Sequence, residues 1–320
     1  MKKLILLLII TLSVSCNSDD IINPTTQDSV DVYVTGSKNN QACYWKNNVL
    51  VMLDVGELSN QTSTQKIIVS NNDVYVLGTA YFPNTDRTEY LFWKNNILTN
   101  LSATYLTSNA TVLLISDMEI VNNDVYFVGF VQEESGPKIA YWKNGQRTVL
   151  GSIDNLIDNP KIKVLNNNIY ITSKVNNVEG YYVNGTFNEL ENTFLEGLTT
   201  NNNQVYVYGG KTNGTNGYYK NVTTGTETIV STLNIISKLE LDMNNEYYSN
   251  GQEIYENTTL IHAVPSNAYN IYDFSVLNGN LYLIENFDAN VHPKILKINN
   301  VIAMTSVIDE DYISVFIAQN

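Results

Sequence analysis

Residues Lys66–Gly78 read KIIVSNNDVYVLG, and Glu89–Leu101 read EYLFWKNNILTNL. Each stretch is a pair of β-rich runs broken by an Asn-Asn pair, at 71–72 and at 95–96. Asparagine tolerates the positive φ of a two-residue hairpin turn, so the two stretches together predict four antiparallel strands. The unit then returns. Met118–Gly129 (MEIVNNDVYFVG) is followed by Ile139–Leu150 (IAYWKNGQRTVL). Weaker copies run through IKVLNNNIYI at 162–171, GLTTNNNQVYVYG at 197–209, LELDMNNEYYSNG at 239–251 and FSVLNGNLYLIEN at 274–286. The central tyrosines, Tyr33, Tyr75, Tyr126, Tyr170, Tyr206, Tyr248 and Tyr282, are spaced by 42, 51, 44, 36, 42 and 34 residues. That is the period of propeller blades and repeat arrays.

Four antiparallel strands repeated radially make a β-propeller. The copy at Asp31 starts with its second strand, and the missing first strand is found at the far end, where Tyr312–Phe316 (YISVF) aligns with Asp273–Leu277 (DFSVL). Such a strand closes a ring and removes the edges that an open array exposes. The expectation is an all-β, seven-bladed propeller of four-stranded antiparallel blades over residues 30–320. The repeat resembles bacterial surface and secreted propellers that carry a VYVxG strand followed by an AxYWKNG hairpin. That resemblance implies an architecture more than an activity. Trp45, Trp93 and Trp142, with Tyr182 and Tyr219 in the later copies, predict wedges between blades. Cys43, aligned with Leu91, Ala140, Gly180 and Gly217, predicts a small buried site.

The chain carries 18 Lys and Arg against 32 Asp and Glu, a formal charge of −14. Neutralising phosphates needs a basic surface, so nucleic acid is excluded as a partner. Hydrophobic residues at 43% against charged residues at 16% favour a packed core over disorder. With 2 His and 2 Cys in 320 residues, imidazole, thiol and soft-metal chemistry have little material, and neither metal nor cofactor is expected.

The chain opens with Lys2-Lys3, an apolar run Leu4–Leu12, and small residues Ser13–Ser15 followed at once by Cys16. The run is too short to cross a bilayer as a helix and reads as a secretory signal. The arrangement resembles a bacterial lipobox, with Ser13 where Leu is commoner. It implies a signal peptide over 1–15, acylation of Cys16 by palmitate-type chains, and an outer-membrane lipoprotein of the cell envelope whose membrane partner is reached through that lipid. An ordinary secretory signal with an incidental cysteine is the alternative. Residues 16–29 are polar and aperiodic and read as a flexible tether. Ser18, Asp19 and Asp20 resemble the acidic export signals of surface lipoproteins of some Gram-negative bacteria, and read equally as plain linker acids. With Cys16 lipidated, Cys43 has no intrachain disulfide partner.

Strand parity assigns the two faces of the disc. Turns joining first to second and third to fourth strands lie at one end of each blade, and these are uniformly short and Asn-rich. The length variation falls at the other end, in residues 79–88, 103–112, 131–138 and 286–293. Variable loops on a rigid frame are where binding residues concentrate. Tyr81, Phe82, Arg87, Tyr105, Glu133, Glu134, Phe287, Asp288 and His292 are therefore the candidate binding residues, with aromatic faces to stack and polar groups to orient a glycan or an envelope protein. A catalytic reading would use Glu133 with Glu134, Asp154 with Asp158, or Asp309–Asp311 as paired carboxylates. Neither His262 nor His292 has a partner recognisable from spacing, so no catalytic residue is assigned. The sequence points to a monomeric binding propeller, with a polysaccharide hydrolase or lyase and a passive structural lipoprotein as the alternatives.

Overall fold

The computed structural model describes residues 30–56, 61–106, 110–153, 159–265, 270–286 and 294–319. Cys16, Phe287, Asp288, His292, Asp154 and Asp158 lie outside the described residues. The strands form seven four-stranded antiparallel sheets, arranged as the blades of a propeller. Blade 2 runs Thr62–Ser70, Asp73–Phe82, Arg87–Lys94 and Ile97–Asn100 from the central channel outward. Blade 3 repeats this with Ala110–Val121, Asp124–Glu133, Gly136–Lys143 and Gln146–Ser152. Blade 1 is mixed: Glu310–Gln319 is its inner strand, paired with Val30–Lys38 from Val30 opposite Gln319 to Lys38 opposite Glu310. The ring is closed by the C-terminal strand, as the alignment of YISVF with DFSVL predicts.

The repeated residues have separate physical jobs. Asn95 and Asn96 sit at φ 50° and 66°, the left-handed turn geometry. The Asn95 side chain also ties the two hairpins of the blade together. Its Oδ1 accepts from the Val74 amide at 2.9 Å and its Nδ2 donates to Asp73 at 2.7 Å. Lys94 completes the knot, 2.8 Å from Asp73 and over the Tyr75 ring. Blades 1 and 3 repeat it with Asn47, Asp31, Lys46 and Tyr33 and with Asn144, Asp124, Lys143 and Tyr126. Replacing Asn95 by Gly keeps the turn geometry and removes both side-chain bonds. The expected cost in urea unfolding is about 1 kcal/mol, whereas Asn96→Gly, which gives up a side-chain bond from the Asp54 amide, costs less.

The glycine of VYVxG answers a different need. In blades 1, 2, 3, 5 and 7 the inner strand bulges, leaving Ile313, Gln65, Ser116, Glu196 and Tyr272 unpaired beside their second strands. The bulge drives backbone toward the second strand. A Cβ on Gly129 would land on the Leu114 carbonyl oxygen, and Gly36, Gly78 and Gly209 face the same obstruction from Asp311, Ser63 and Phe194.

The tryptophans are wedges, as expected. Trp93 is fully buried and donates from Nε1 to the Asp54 carbonyl at the end of blade 1. Cys43 is buried and free, and burial pushes its thiol up to about 12, so it acts as a small hydrophobe. Two alignments shift by one residue. In blade 6, Asn245 takes the Asn257 side chain as Asp73 takes that of Asn95, so Tyr247, not Tyr248, matches Tyr75. In blade 5, Tyr219 matches Phe92 and not Trp93: it pairs with Tyr208 and meets Tyr206 as Phe92 meets Tyr75, with ring centroids 6.3 Å apart in both. Tyr218, not Gly217, then stands where Leu91 does, opposite the glycine. The cause is the longer turn from Asn221 to Thr226, where other blades use two residues.

Candidate functional site

The two ends of the disc differ as strand parity predicts, but the elaborated end is built mostly of strand. Residues 79–88 are a hairpin projecting from blade 2, with a turn over 83–86, and residues 131–138 are a second hairpin from blade 3 turning at Glu134 and Ser135. Their backbone ladders extend to Phe82 opposite Arg87 and Glu133 opposite Gly136. A projecting hairpin holds its side chains more firmly than a loop of equal length, because its backbone groups are already paired.

Tyr81, Phe82 and Arg87 come together on the first hairpin. Tyr81 is 38% exposed and its hydroxyl donates to Asp86 at 3.0 Å. Arg87 lies over the Phe82 ring at 5.5 Å and pairs with Glu89. The result is an exposed aromatic edge beside an anchored guanidinium. On the second hairpin Glu134 is exposed, while Glu133 accepts from Arg147 at 2.8 Å. The two glutamates thus have different surroundings, and Glu133 is spent on an ion pair.

Tyr105 departs from expectation. It ends a short helix, Leu101–Tyr105, and stacks on Trp142 with centroids 5.6 Å apart and planes 6° from parallel. A Cβ on Gly145, in the short-turn end of blade 3, would meet its ring at 3.9 Å. The side chain is half-buried and burial raises its phenol, so Tyr105 seals a blade seam and is not part of the elaborated surface.

Sequence reasoning missed the channel. A lumen of 1080 Å³ runs along the axis, walled by the inner strands of all seven blades. It contains Lys66, Lys161, Lys163 and Lys238 together with Asp117, Glu119, Glu196, Glu240 and Asp273. Most of these form staples between neighbouring blades. Asp117 of blade 3 meets Lys66 of blade 2 at 2.7 Å and accepts from the Ile162 amide of blade 4 at 3.0 Å. Asp273 of blade 7 repeats the motif with Lys238 of blade 6 at 2.5 Å and the Val315 amide of blade 1 at 2.9 Å. Lys163 meets Glu119 at 3.0 Å. Burial works against the Asp117 carboxylate, but Lys66, Lys161 and the amide outweigh it and hold the carboxyl below its usual range. Burial likewise opposes the Lys238 charge, and Asp273 and Glu240 reverse it, raising that ammonium.

His262 has a partner that spacing did not reveal. Its Nε2 lies 2.6 Å from Glu285 and its Nδ1 2.9 Å from Asn300, in the seam between blades 6 and 7. Lys297 also reaches Glu285. Burial raises the Glu285 carboxyl, and His262 and Lys297 together bring it below its ordinary value. No hydroxyl or thiol among the described residues bonds the imidazole, so this is a buried polar seam without a nucleophile. Among the described residues no three His, Cys, Asp or Glu side chains group as metal ligands.

No protein-family model matches the chain, and no curated protein matches it either. Solved structures of similar shape include a chain of a nidogen/laminin complex, with 10% identity, 91% of this chain and 98% of that one covered, and a TM-score of 0.41. A eukaryotic initiation factor gives 8% identity, coverage of 90% and 98%, and a TM-score of 0.46. The acylaminoacyl peptidase of Pyrococcus horikoshii gives 10% identity, coverage of 77% and 52%, and a TM-score of 0.43. Likeness this distant carries no argument about activity.

Proposed function

We propose that the chain is a lipid-anchored binding propeller of a bacterial outer membrane, which engages a glycan or an envelope protein through its projecting hairpins and performs no catalysis on it. The observation that carries the reading is where the folded body is entered and left. Val30 and Gln319 pair at the short-turn end, and the hairpins carrying Tyr81, Phe82, Arg87 and Glu134 project from the opposite end. A tether over 16–29, acylated at Cys16, would attach the body at its plain face and leave the hairpins at the end remote from the attachment. An exposed aromatic edge with a fixed cation suits stacking on a sugar ring or an aromatic anchor of a protein.

Two measurements test this. Cys16→Ser is expected to move the protein from the membrane fraction to the soluble one and to abolish palmitate labelling; a membrane-bound, labelled variant would overturn the anchor. On a glycan array and in pull-downs from envelope extracts, the triple variant Tyr81→Ala, Phe82→Ala, Arg87→Ala is expected to bind at least about tenfold more weakly than the parent. Unchanged binding overturns the hairpin assignment, and substrate turnover abolished by Glu133→Gln overturns the non-catalytic reading in favour of a hydrolase or lyase.

A further inference from the structure

The ion pairs of the channel leave one place unfinished, at the seam of blades 4 and 5. Lys66, Lys163 and Lys238 each meet a carboxylate. Lys161 makes no ion pair and no side-chain hydrogen bond among the described residues. The carboxylate it lies nearest in blade 3, Asp117, is already held by Lys66 and the Ile162 amide. An ammonium has three donors and no acceptor, so what would complete it is a set of acceptor oxygens, and a charged hydrogen bond to an anion is the strongest of these.

The neighbouring inner strand, Thr193–Asn201, supplies the rest. Glu196 is the residue its bulge leaves unpaired, and its carboxyl is open to the lumen with no hydrogen-bond partner among the described residues. Burial in the wall pushes that carboxyl upward, against the pull of Lys161. Next in line is Gly197, where the other staple-forming blades carry a lysine or an aspartate. The vacancy is used. Tyr208, standing where blades 2 and 3 have Leu77 and Val128, lays its ring across the glycine, and a Cβ on Gly197 would collide with the phenol oxygen. Its hydroxyl reaches the lumen, has no hydrogen-bond partner among the described residues, and is kept neutral by burial.

We propose that this seam is a binding site for an acidic sugar, a hexuronate whose carboxylate meets Lys161 and whose hydroxyls meet Glu196 and Tyr208. The choice follows from the charges. Lys161 is the one lumen lysine with no carboxylate within ion-pair distance among the described residues, so the ligand carries one anionic group; a second would face the carboxylates that already line the lumen. The remaining polar groups, the Tyr208 phenol, the Glu196 carboxyl and Thr199 and Thr200 along the same wall, pair with the neutral hydroxyls of a sugar. The lumen, at 1080 Å³, admits a hexuronate ring with water around it. This site is separate from the projecting hairpins and stands or falls without them.

Isothermal titration of the full chain with galacturonate, with its neutral methyl ester and with glycine tests it. Galacturonate is expected to bind saturably. The ester is expected to bind at least about tenfold more weakly, as is the parent ligand to Lys161→Met, because a charged hydrogen bond is lost. Lys161→Arg retains binding, and Tyr208→Phe loses severalfold. Lys161 also supports the Asp117 carboxylate, so Lys161→Met is expected to melt somewhat below the parent; titrating it at a temperature where its circular dichroism matches that of the parent separates lost binding from lost folding. Absence of saturable binding at millimolar galacturonate, equal binding of the ester, tighter binding of glycine, or unchanged affinity in a folded Lys161→Met protein would each overturn the site. The triple hairpin variant is expected to bind galacturonate as the parent does, so failure of the hairpin reading leaves this one intact.

Discussion

A chain lacking residues 310–320 is expected to lose its cooperative unfolding transition and to aggregate. The deleted strand is the inner strand of blade 1, and it does three things together. It pairs with Val30–Lys38 along its whole length. It buries Tyr312 and Val315 against Val34, Trp45, Ile284 and Leu296, packing that spans blades 1 and 7. It also gives the Val315 amide to Asp273, finishing the staple that begins at Lys238. Burial of each such side chain is worth about 1.5–3 kcal/mol, and a domain holds only about 5–15 kcal/mol in all. The deletion also turns Val30–Lys38 into an open inner edge, a template for association between copies. Calorimetry of the truncated chain should show no sharp endotherm, and a synthetic peptide spanning 309–320 should restore one by re-forming the strand. Thermal unfolding unchanged by the truncation would mean that the ring does not depend on its closure.

The parts of this architecture that were legible in the sequence are local. An Asn-Asn pair at 71–72 or 95–96 declares its turn through its own φ, and the Asp, Lys and Tyr around it recur because the same short-range knot is tied in each blade. Register failed where the local signal is duplicated or lengthened. Tyr247-Tyr248 offers two equal tyrosines, and only the bond from Asn257 to Asn245 shows which one stands in the repeat. The extra turn residues after Asn221 displaced Tyr219 in the same way. Tyr105 was misplaced because the chain after Leu101 coils into a helical turn and reaches Trp142. The channel was illegible for a stronger reason. Lys66 and Asp117 are 51 residues apart, and each sits beside a bulge that shifts its strand by one residue. No alternation pattern carries through such a shift, so inward-facing charges read as surface ones.

Those staples carry the second large effect. Asp117→Asn is expected to cost about 3–5 kcal/mol at neutral pH, since it breaks a buried pair and leaves the Lys66 ammonium facing a neutral amide. The sign with pH follows from the shift. The folded carboxyl titrates below its unfolded value of about 3.9, so its contribution is complete above that pH and is lost as pH falls through the folded value. The stability gap between parent and Asp117→Asn should therefore be constant from neutrality down to about pH 5 and close progressively in stronger acid. The double variant Lys66→Met, Asp117→Leu removes both charges and keeps the volume. It should recover most of the loss, because what the single variant pays for is an unmatched buried charge and not an absent attraction. Urea unfolding of the three proteins across that pH range decides the matter. A gap that stays open in acid, or a double variant no more stable than the single, would mean that Asp117 holds blades 2, 3 and 4 through its bond to the Ile162 amide alone.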